Sequence, residues 1–97
     1  MLTRRPSKRK AQEKKRSPGA QLRSIREQLD LTLRDVEYQS AGIARKLGSK
    51  AFRIPFSRLH EIESKQFVPN IFRVYSLSRI YGMRSDRILE LYGIPRR

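Results

Sequence analysis

The side chains of this sequence that could do chemistry gather in residues 54–63, IPFSRLHEIE. The acids there are poorly arranged for catalysis, because Glu61 and Glu63 are two positions apart and would point in different directions on a helix. The only histidine, His60, has no partner at a metal-ligand spacing, and the sequence contains no cysteine. We therefore expect no enzymatic activity, no metal site and no cofactor.

The same stretch has the pattern of a helix that presents one polar face. Leu59 and Ile62 are three positions apart and would form an apolar edge, which leaves Ser57 and Arg58 available for contacts. Pro55 suits the first helical position, because its missing N–H would be unpaired there in any case. We therefore predict a short helix that is anchored on one side and open on the other.

The charge of the sequence indicates the kind of partner. Lys and Arg number 23 against nine Asp and Glu, which gives a net charge of +14 in 97 residues. Such an excess predicts a polyanionic partner, with nucleic acid favoured. No apolar run approaches the roughly 20 residues that span a bilayer, and no small-molecule substrate is evident. We expect a soluble, cytoplasmic protein without membrane contact.

Residues 1–17 differ from the rest in composition. They contain eight basic side chains and a single acid, Glu13, so this segment holds half of the net charge. With almost no apolar side chains it cannot offset the entropy cost of ordering, and we predict a disordered basic arm. The arm would neutralise phosphates, although a purely solubilising tail is the alternative. The folded domain is then residues 18–97.

The segment between the arm and residue 54 has the spacing of two amphipathic helices. Apolar residues recur three and four positions apart, as one stripe on each helix. Thr32 with Asp35 three positions on predicts a capping box at the start of the second helix. We expect that helix to continue to Gly48, although the interior Gly42 leaves open an end near Ser40. The stripe residues are Leu22, Ile25 and Leu29 in the first helix and Leu33, Val36, Ser40, Ile43 and Leu47 in the second.

The sequence pattern of residues 69–92 predicts two further helices. The fourth helix runs from Pro69 to Gly82 and is expected to be mostly buried, because its apolar stripe is broad. Ser85 or Asp86 is a candidate cap for the fifth. The sequence has no alternating strand pattern, so the predicted fold class is all-α with five helices. The apolar stripe of the fourth helix contains Ile71, Phe72, Val74, Tyr75, Leu77, Ile80 and Tyr81.

Five short segments form a recognisable pattern when they are taken in order. They are residues 19–26 (GAQLRSIR), 31–36 (LTLRDV) and 59–63 (LHEIE), followed by Pro69-Asn70-Ile71 and Tyr81-Gly82. In this order the sequence resembles the phage-repressor (XRE-type) helix-turn-helix family over about residues 19–92. The resemblance implies a five-helix bundle that places its third helix in the DNA major groove, with the start of the second helix on the phosphate backbone.

The resemblance also assigns roles to individual residues. The family's base-facing positions fall on Pro55, Phe56, Ser57 and Glu61, with Arg58 beside them, and we expect base contacts from Phe56, Ser57, Arg58 and Glu61. The alternatives are a core position for Phe56 and, for Arg58, a phosphate contact or a solvated side chain. Phosphate contacts are expected from Thr32 and Arg34 at the start of the second helix and from Lys65 after the third. The family further implies a structural ion pair, which here would join Arg26 to Glu63.

The sequence departs from the family in the spacing of these segments. Between Leu33 and Glu63 the chain is about a dozen residues longer than the compact motif. The added residues lie within 41–54, a segment with four cations and no acid. We expect a lengthened second helix and a basic arm with backbone or minor-groove contacts, and a surface elaboration is the alternative. The four cations, which we assign to phosphate contact, are Arg45, Lys46, Lys50 and Arg53.

Taken together, these features predict a sequence-specific double-stranded DNA-binding transcription regulator, cytoplasmic and nucleoid-associated. A homodimer is one option, in which Leu89, Leu91, Tyr92 and Ile94 form a two-fold patch; the other is that they close the core of the monomer. An RNA-binding or ribosome-associated basic protein is an alternative, although most aromatic residues are expected on core stripes. An antitoxin-like, protein-binding adaptor is a second alternative.

Overall fold

The computed structural model describes residues 16–95, and these residues form an all-α fold without a strand. The five predicted helices are confirmed, and none of them is both long and apolar enough to cross a membrane. Residues 1–15 of the predicted basic arm lie outside the described residues, as do 96–97. The helices are α1 (Pro18–Gln28), α2 (Leu33–Leu47), α3 (Phe56–Ser64), α4 (Ile71–Tyr81) and α5 (Ser85–Leu91), and one 3-10 turn, Lys50–Phe52, lies between α2 and α3.

The ends of α2 follow the sequence closely. The hydroxyl of Thr32 accepts the N–H of Asp35 at 3.0 Å, and the carboxylate of Asp35 accepts the N–H of Thr32 at 2.8 Å. These bonds stabilise the ionised carboxylate and lower the pKa of Asp35. Gly48 ends the helix in the left-handed conformation, with φ at 69°. The prediction of one continuous helix through Gly42 is confirmed.

Two helix starts differ from the prediction. Pro55 is the N-cap of α3 rather than its first residue, because its ψ of 148° is extended and its carbonyl accepts the first helical bond, from Leu59. Arg84, rather than Ser85 or Asp86, is the N-cap of α5, and its side chain makes no capping bond. Ser85 is already helical, so its hydroxyl is one position too late to cap.

The hydrophobic core draws on every helix and on the segment before α3. Ile54, Leu59 and Ile62 are fully buried among residues from the other helices, so α3 is anchored on its inner side. Burial of a side chain of this size contributes about 1.5–3 kcal/mol. The remaining members of the core cluster are Leu22, Val36, Val74, Leu77, Tyr81 and Ile88.

Helix α4 is only half buried, which contradicts the prediction that it is mostly buried. Val74, Leu77 and Tyr81 face the core, whereas Ile71 is 74% exposed and Phe72 is 41% exposed. The broad stripe is wider than the surface that the other helices can cover in so small a domain. An apolar face of α4 therefore remains on the surface of the protein.

Candidate nucleic-acid interface

Helix α3 has one exposed, polar side and one buried, apolar side. Ser57 and His60 are exposed on this side, while Leu59 and Ile62 on the other side have no accessible surface. The side chains of Arg58 and Glu61 are about two-fifths exposed. The four residues predicted to contact bases therefore lie at the open side of α3 or at its start.

Helix α1 packs against the end of α3 at very short range. A Cβ atom on Gly19 would overlap the carbonyl oxygen of Ile62 and would lie 2.7 Å from that of Glu63. Only glycine allows this approach of α1 to the backbone of α3. The contact fixes how far the C-terminal end of α3 lies from α1.

Arg26 and Glu63 form the ion pair that the resemblance implies. The guanidinium donates from Nε to Oε2 at 2.8 Å and from Nη2 to Oε1 at 3.0 Å, and its Nη1 donates to the carbonyl of Leu31 at 2.8 Å. Both residues are more than nine-tenths buried. The bonds to Glu63 raise the pKa of Arg26. These bonds tie α1 to the last turn of α3 and to Leu31, two positions before the first residue of α2.

The start of α2 lies beside the start of α3. The guanidinium of Arg34, in the first turn of α2, stacks over the ring of Phe56 at 4.0 Å from its centroid. A cation in this position interacts favourably with the negative face of the ring. Phe56 is therefore covered by Arg34, and the two predicted contact residues form one unit. The exposed Thr32, also predicted to contact phosphate, caps the same end of α2.

Arg58 is held by two neighbours. Its Nη1 donates to Oε1 of Glu61 at 2.8 Å, and its guanidinium lies 4.7 Å from the ring centroid of Phe67. Because the guanidinium neutralises Glu61, the acid no longer adds a bare negative charge to this surface. Four of the five N–H donors of Arg58 remain for other partners. Phe67 was not predicted from the sequence as a contact of Arg58.

We call residues 48–55 the bridge, because they connect α2 to α3. The hydroxyl of the buried Ser40 accepts the N–H of Ile54 at 2.8 Å and donates to the carbonyl of Glu37 at 2.9 Å. The hydroxyl of Ser76 on α4 donates to the carbonyl of Phe52 at 2.6 Å. The bridge contains one 3-10 turn, Lys50–Phe52, with extended backbone at Ser49 before it and Arg53 after it, and it is hydrogen-bonded to α2 and α4.

Three of the four cations within residues 41–54 lie together. Arg45, Lys50 and Arg53 line a groove of about 450 Å³ between α2 and the bridge. Arg53 also donates to the carboxylate of Glu37 at 2.6 Å. Lys46 lies in a different groove, between α2 and α4, and is separated from the other three. The remaining predicted phosphate contact, Lys65, is the exposed C-cap of α3.

Arg73 is a further cation of this region that the sequence interpretation missed. Its Nε donates to the carbonyl of Arg53 at 3.1 Å, which links α4 to the bridge. Burial lowers the pKa of Arg73, and the positive charge of Arg58 lowers it further. The sequence feature that could have identified Arg73 is that it is a single cation among the apolar residues at the start of α4.

Comparisons with protein-family models, with curated proteins and with solved structures gave no match to this chain. Within residues 16–95 no three His, Cys, Asp or Glu side chains are grouped as metal ligands.

Proposed function

We propose that this chain is a sequence-specific double-stranded DNA-binding transcription regulator of the helix-turn-helix type, which inserts α3 into the major groove. One observation carries the proposal: α3 is anchored by the fully buried Leu59 and Ile62, while Ser57 and Arg58 remain on its open side. The major groove is about 12 Å wide and admits a helix whose diameter with side chains is about 10–12 Å.

The open side of α3 carries groups that suit base recognition. Arg58 keeps enough N–H donors for a bidentate contact with guanine, and its bonds with Glu61 and Phe67 restrict its motion. Because fewer conformations are lost on binding, a restricted guanidinium gives a stronger and more selective contact. The hydroxyl of Ser57 adds a donor and an acceptor that can serve several bases.

The surrounding cations suit contact with the phosphate backbone. Arg34 lies at the start of α2 beside α3, and the groove of Arg45, Lys50 and Arg53 lies next to the bridge. Cations that neutralise phosphates release counterions, so the observed affinity falls as salt rises. We propose that the bridge adds these contacts to the ones made by α3.

The C-terminal apolar residues mostly serve the monomer. Leu89, Leu91 and Tyr92 pack against the core cluster, and burial raises the pKa of Tyr92 to about 12. Ile94 alone among the four is exposed. The proposal still includes a homodimer, because a dimer of this type of protein binds two half-sites on the DNA.

Selection of bound sequences from random duplex DNA tests the proposal, with single-stranded and structured RNA as competitors and with a salt titration. We expect a recovered DNA motif that RNA does not displace, with two half-sites if a dimer binds. Uniform recovery of all sequences would contradict sequence-specific binding. Failure to bind any nucleic acid would favour the protein-binding adaptor.

One observation favours RNA as a second candidate. Most aromatic residues were expected in the core, but Tyr38 is 76% exposed and Phe67, Phe72 and Tyr75 are also exposed. Exposed aromatic rings can stack with unpaired bases. Phe67, however, is covered by Arg58, and the rings of Phe72 and Tyr75 pack edge-on against Phe52. The RNA competitor in the selection distinguishes this candidate from duplex binding.

A further inference from the structure

A second groove lies between α2 and α4, and no residue of α3 lines it. We call it the α2–α4 groove. Its volume is about 400 Å³, which lies within the roughly 300–1,000 Å³ of ligand-binding pockets. Ile43, Leu47 and Tyr75 give it an apolar wall, and Gly42 forms part of its lining. None of the residues proposed to contact bases reaches this groove.

The apolar surface extends beyond the groove along α4. Leu47 is 48% exposed at the end of α2, and Tyr75 leads along α4 to Phe72 and Ile71. The rings of Phe72 and Tyr75 both pack edge-on against Phe52, so this surface is held in place. Contiguous exposed apolar patches on small proteins mark sites of interaction.

The charge around the α2–α4 groove indicates the kind of partner that would bind there. Lys46 and Arg79 are the charged side chains that line it, and neither pairs with an acid within residues 16–95. In a two-fold dimer through this surface, the same cations would approach their own copies and repel. An acidic partner would instead pair with both cations at the rim.

Gly42 has no structural requirement to be glycine. It lies within α2, and a Cβ atom there would meet only Nη2 of Arg45, at 3.9 Å. An interior glycine costs about 1 kcal/mol of helix stability relative to alanine. The structural consequence of the missing side chain is that the α2–α4 groove stays open over the backbone of α2.

We propose that the α2–α4 groove binds an acidic amphipathic helix of a partner protein. Apolar side chains of that helix, spaced at i, i+3 or i+4, and i+7, enter the groove beside Leu47 and Tyr75. Its carboxylates face Lys46 and Arg79. This site is additional to DNA binding and does not depend on it.

A synthetic peptide tests the proposal in the absence of DNA. The probe is a fluorescein-labelled helical peptide with leucine at the three anchor positions and glutamate on its flanks, titrated with the full chain. We expect saturable binding, which is weakened by roughly tenfold or more when serine replaces the leucines or lysine replaces the glutamates. Equal binding of the acidic peptide with and without leucine would overturn the proposal, because attraction to the basic chain alone would explain it.

Gly42→Leu separates groove binding from general attraction to a basic protein, because it fills the groove without changing the charge. We expect it to weaken peptide binding by roughly tenfold, while its melting temperature does not fall and its DNA binding is unchanged. Undiminished peptide binding by this variant would overturn the proposal. Loss of self-association, or loss of duplex binding, in Gly42→Leu would also overturn it, in favour of a second copy or of DNA.

A charge-reversed pair gives an independent readout should Gly42→Leu fold poorly. Lys46→Glu removes a cation of the groove, and Arg23→Glu makes the same change in charge on the exposed side of α1. Only Lys46→Glu should weaken binding of the acidic peptide and restore binding of the lysine peptide. Equal effects of the two substitutions would place the peptide elsewhere and overturn the proposal.

Discussion

Arg26 and Glu63 lie 37 positions apart in the sequence and are joined by two parallel hydrogen bonds in the interior of the protein. The pair links α1 to the last turn of α3, next to the close contact of Gly19 with the backbone of α3. A bidentate Arg–carboxylate contact fixes orientation as well as distance. The direction in which α3 points therefore depends on α1.

Substitution of Arg26 by alanine should unfold the domain more readily than any exposed substitution on α1. Loss of one partner from a buried ion pair typically costs about 3–5 kcal/mol, because Glu63 is left charged and unpaired. Arg23 pairs with Glu27 on the surface of the same helix, and Arg23→Ala should cost at most about 1 kcal/mol. Chemical denaturation followed by circular dichroism measures both, and equal stabilities would contradict the structural role of the buried pair.

Gly19→Ala should destabilise the protein, whereas Gly42→Ala should stabilise it. The first adds a Cβ atom against the backbone oxygens of Ile62 and Glu63, which forces α1 away from α3. The second adds a Cβ atom that makes only an ordinary contact, with Nη2 of Arg45 at 3.9 Å, and gains up to about 1 kcal/mol of helix propensity. Thermal melts of the two variants give the sign of each change in stability directly, and a Gly19→Ala variant as stable as the parent chain would contradict the close packing.

Ser40→Ala should weaken the attachment of the bridge to α2. The substitution leaves the buried N–H of Ile54 without an acceptor, which costs about 1–3 kcal/mol. Ser64 is the matched control, since it also donates to a carbonyl of its own helix but is exposed. Hydrogen exchange of the Ile54 amide should accelerate in Ser40→Ala and stay unchanged in Ser64→Ala. An unchanged rate in both would show that the bond contributes nothing to protection.

Arg58→Ala should relax the base preference at one position of the recovered DNA motif. A bidentate contact of arginine with guanine contributes about 1–3 kcal/mol of discrimination. Lys65→Ala removes a cation at the other end of α3 and should weaken all sequences alike. Competition binding with single-base variants of the motif measures this difference. An unaltered preference profile in Arg58→Ala would remove Arg58 from the base contacts.

Replacement of Arg45, Lys50 and Arg53 by alanine should reduce the salt dependence of DNA binding. The slope of log affinity against log salt falls by about 0.9 for each phosphate that the protein no longer neutralises. As a control, replacement of Arg23, Arg84 and Arg87 by alanine also removes three positive charges, but from α1 and from around α5. The same slope in the bridge variant and the parent chain would make the bridge a surface elaboration without a role in binding.

Local signals in the sequence were sufficient to predict much of the fold. The five helices, the capping box of Thr32 and Asp35, and the glycine ends of α2 and α4 all arise from contacts within a few residues. Such contacts are encoded by spacing and residue type, so a single sequence carries them. The anchored side of α3 was predicted for the same reason.

The bridge and the outer face of α4 could not be predicted in this way. The hydroxyl of Ser40 accepts an N–H 14 positions away, and that of Ser76 donates to a carbonyl 24 positions away, so neither bond has a local signature. An apolar stripe in the sequence also does not show how much of the stripe the other helices will cover. Ile71 was therefore wrongly expected in the core. Arg73 and Phe67 were missed because their partners are set by tertiary packing.

Ser40 and Ser76 hold the bridge between α2 and α3 in place by hydrogen bonds. The attachment of α3 and the groups that it exposes therefore depend on different residues, which a tight turn between α2 and α3 would not allow to the same extent. The buried side chains of α3, Leu59 and Ile62, attach it to the core, whereas the groups that α3 exposes belong to its outer residues. Each set can change without the other. Exposed residues of α3 such as Ser57 could therefore be exchanged while the buried contacts that hold the helix stay the same.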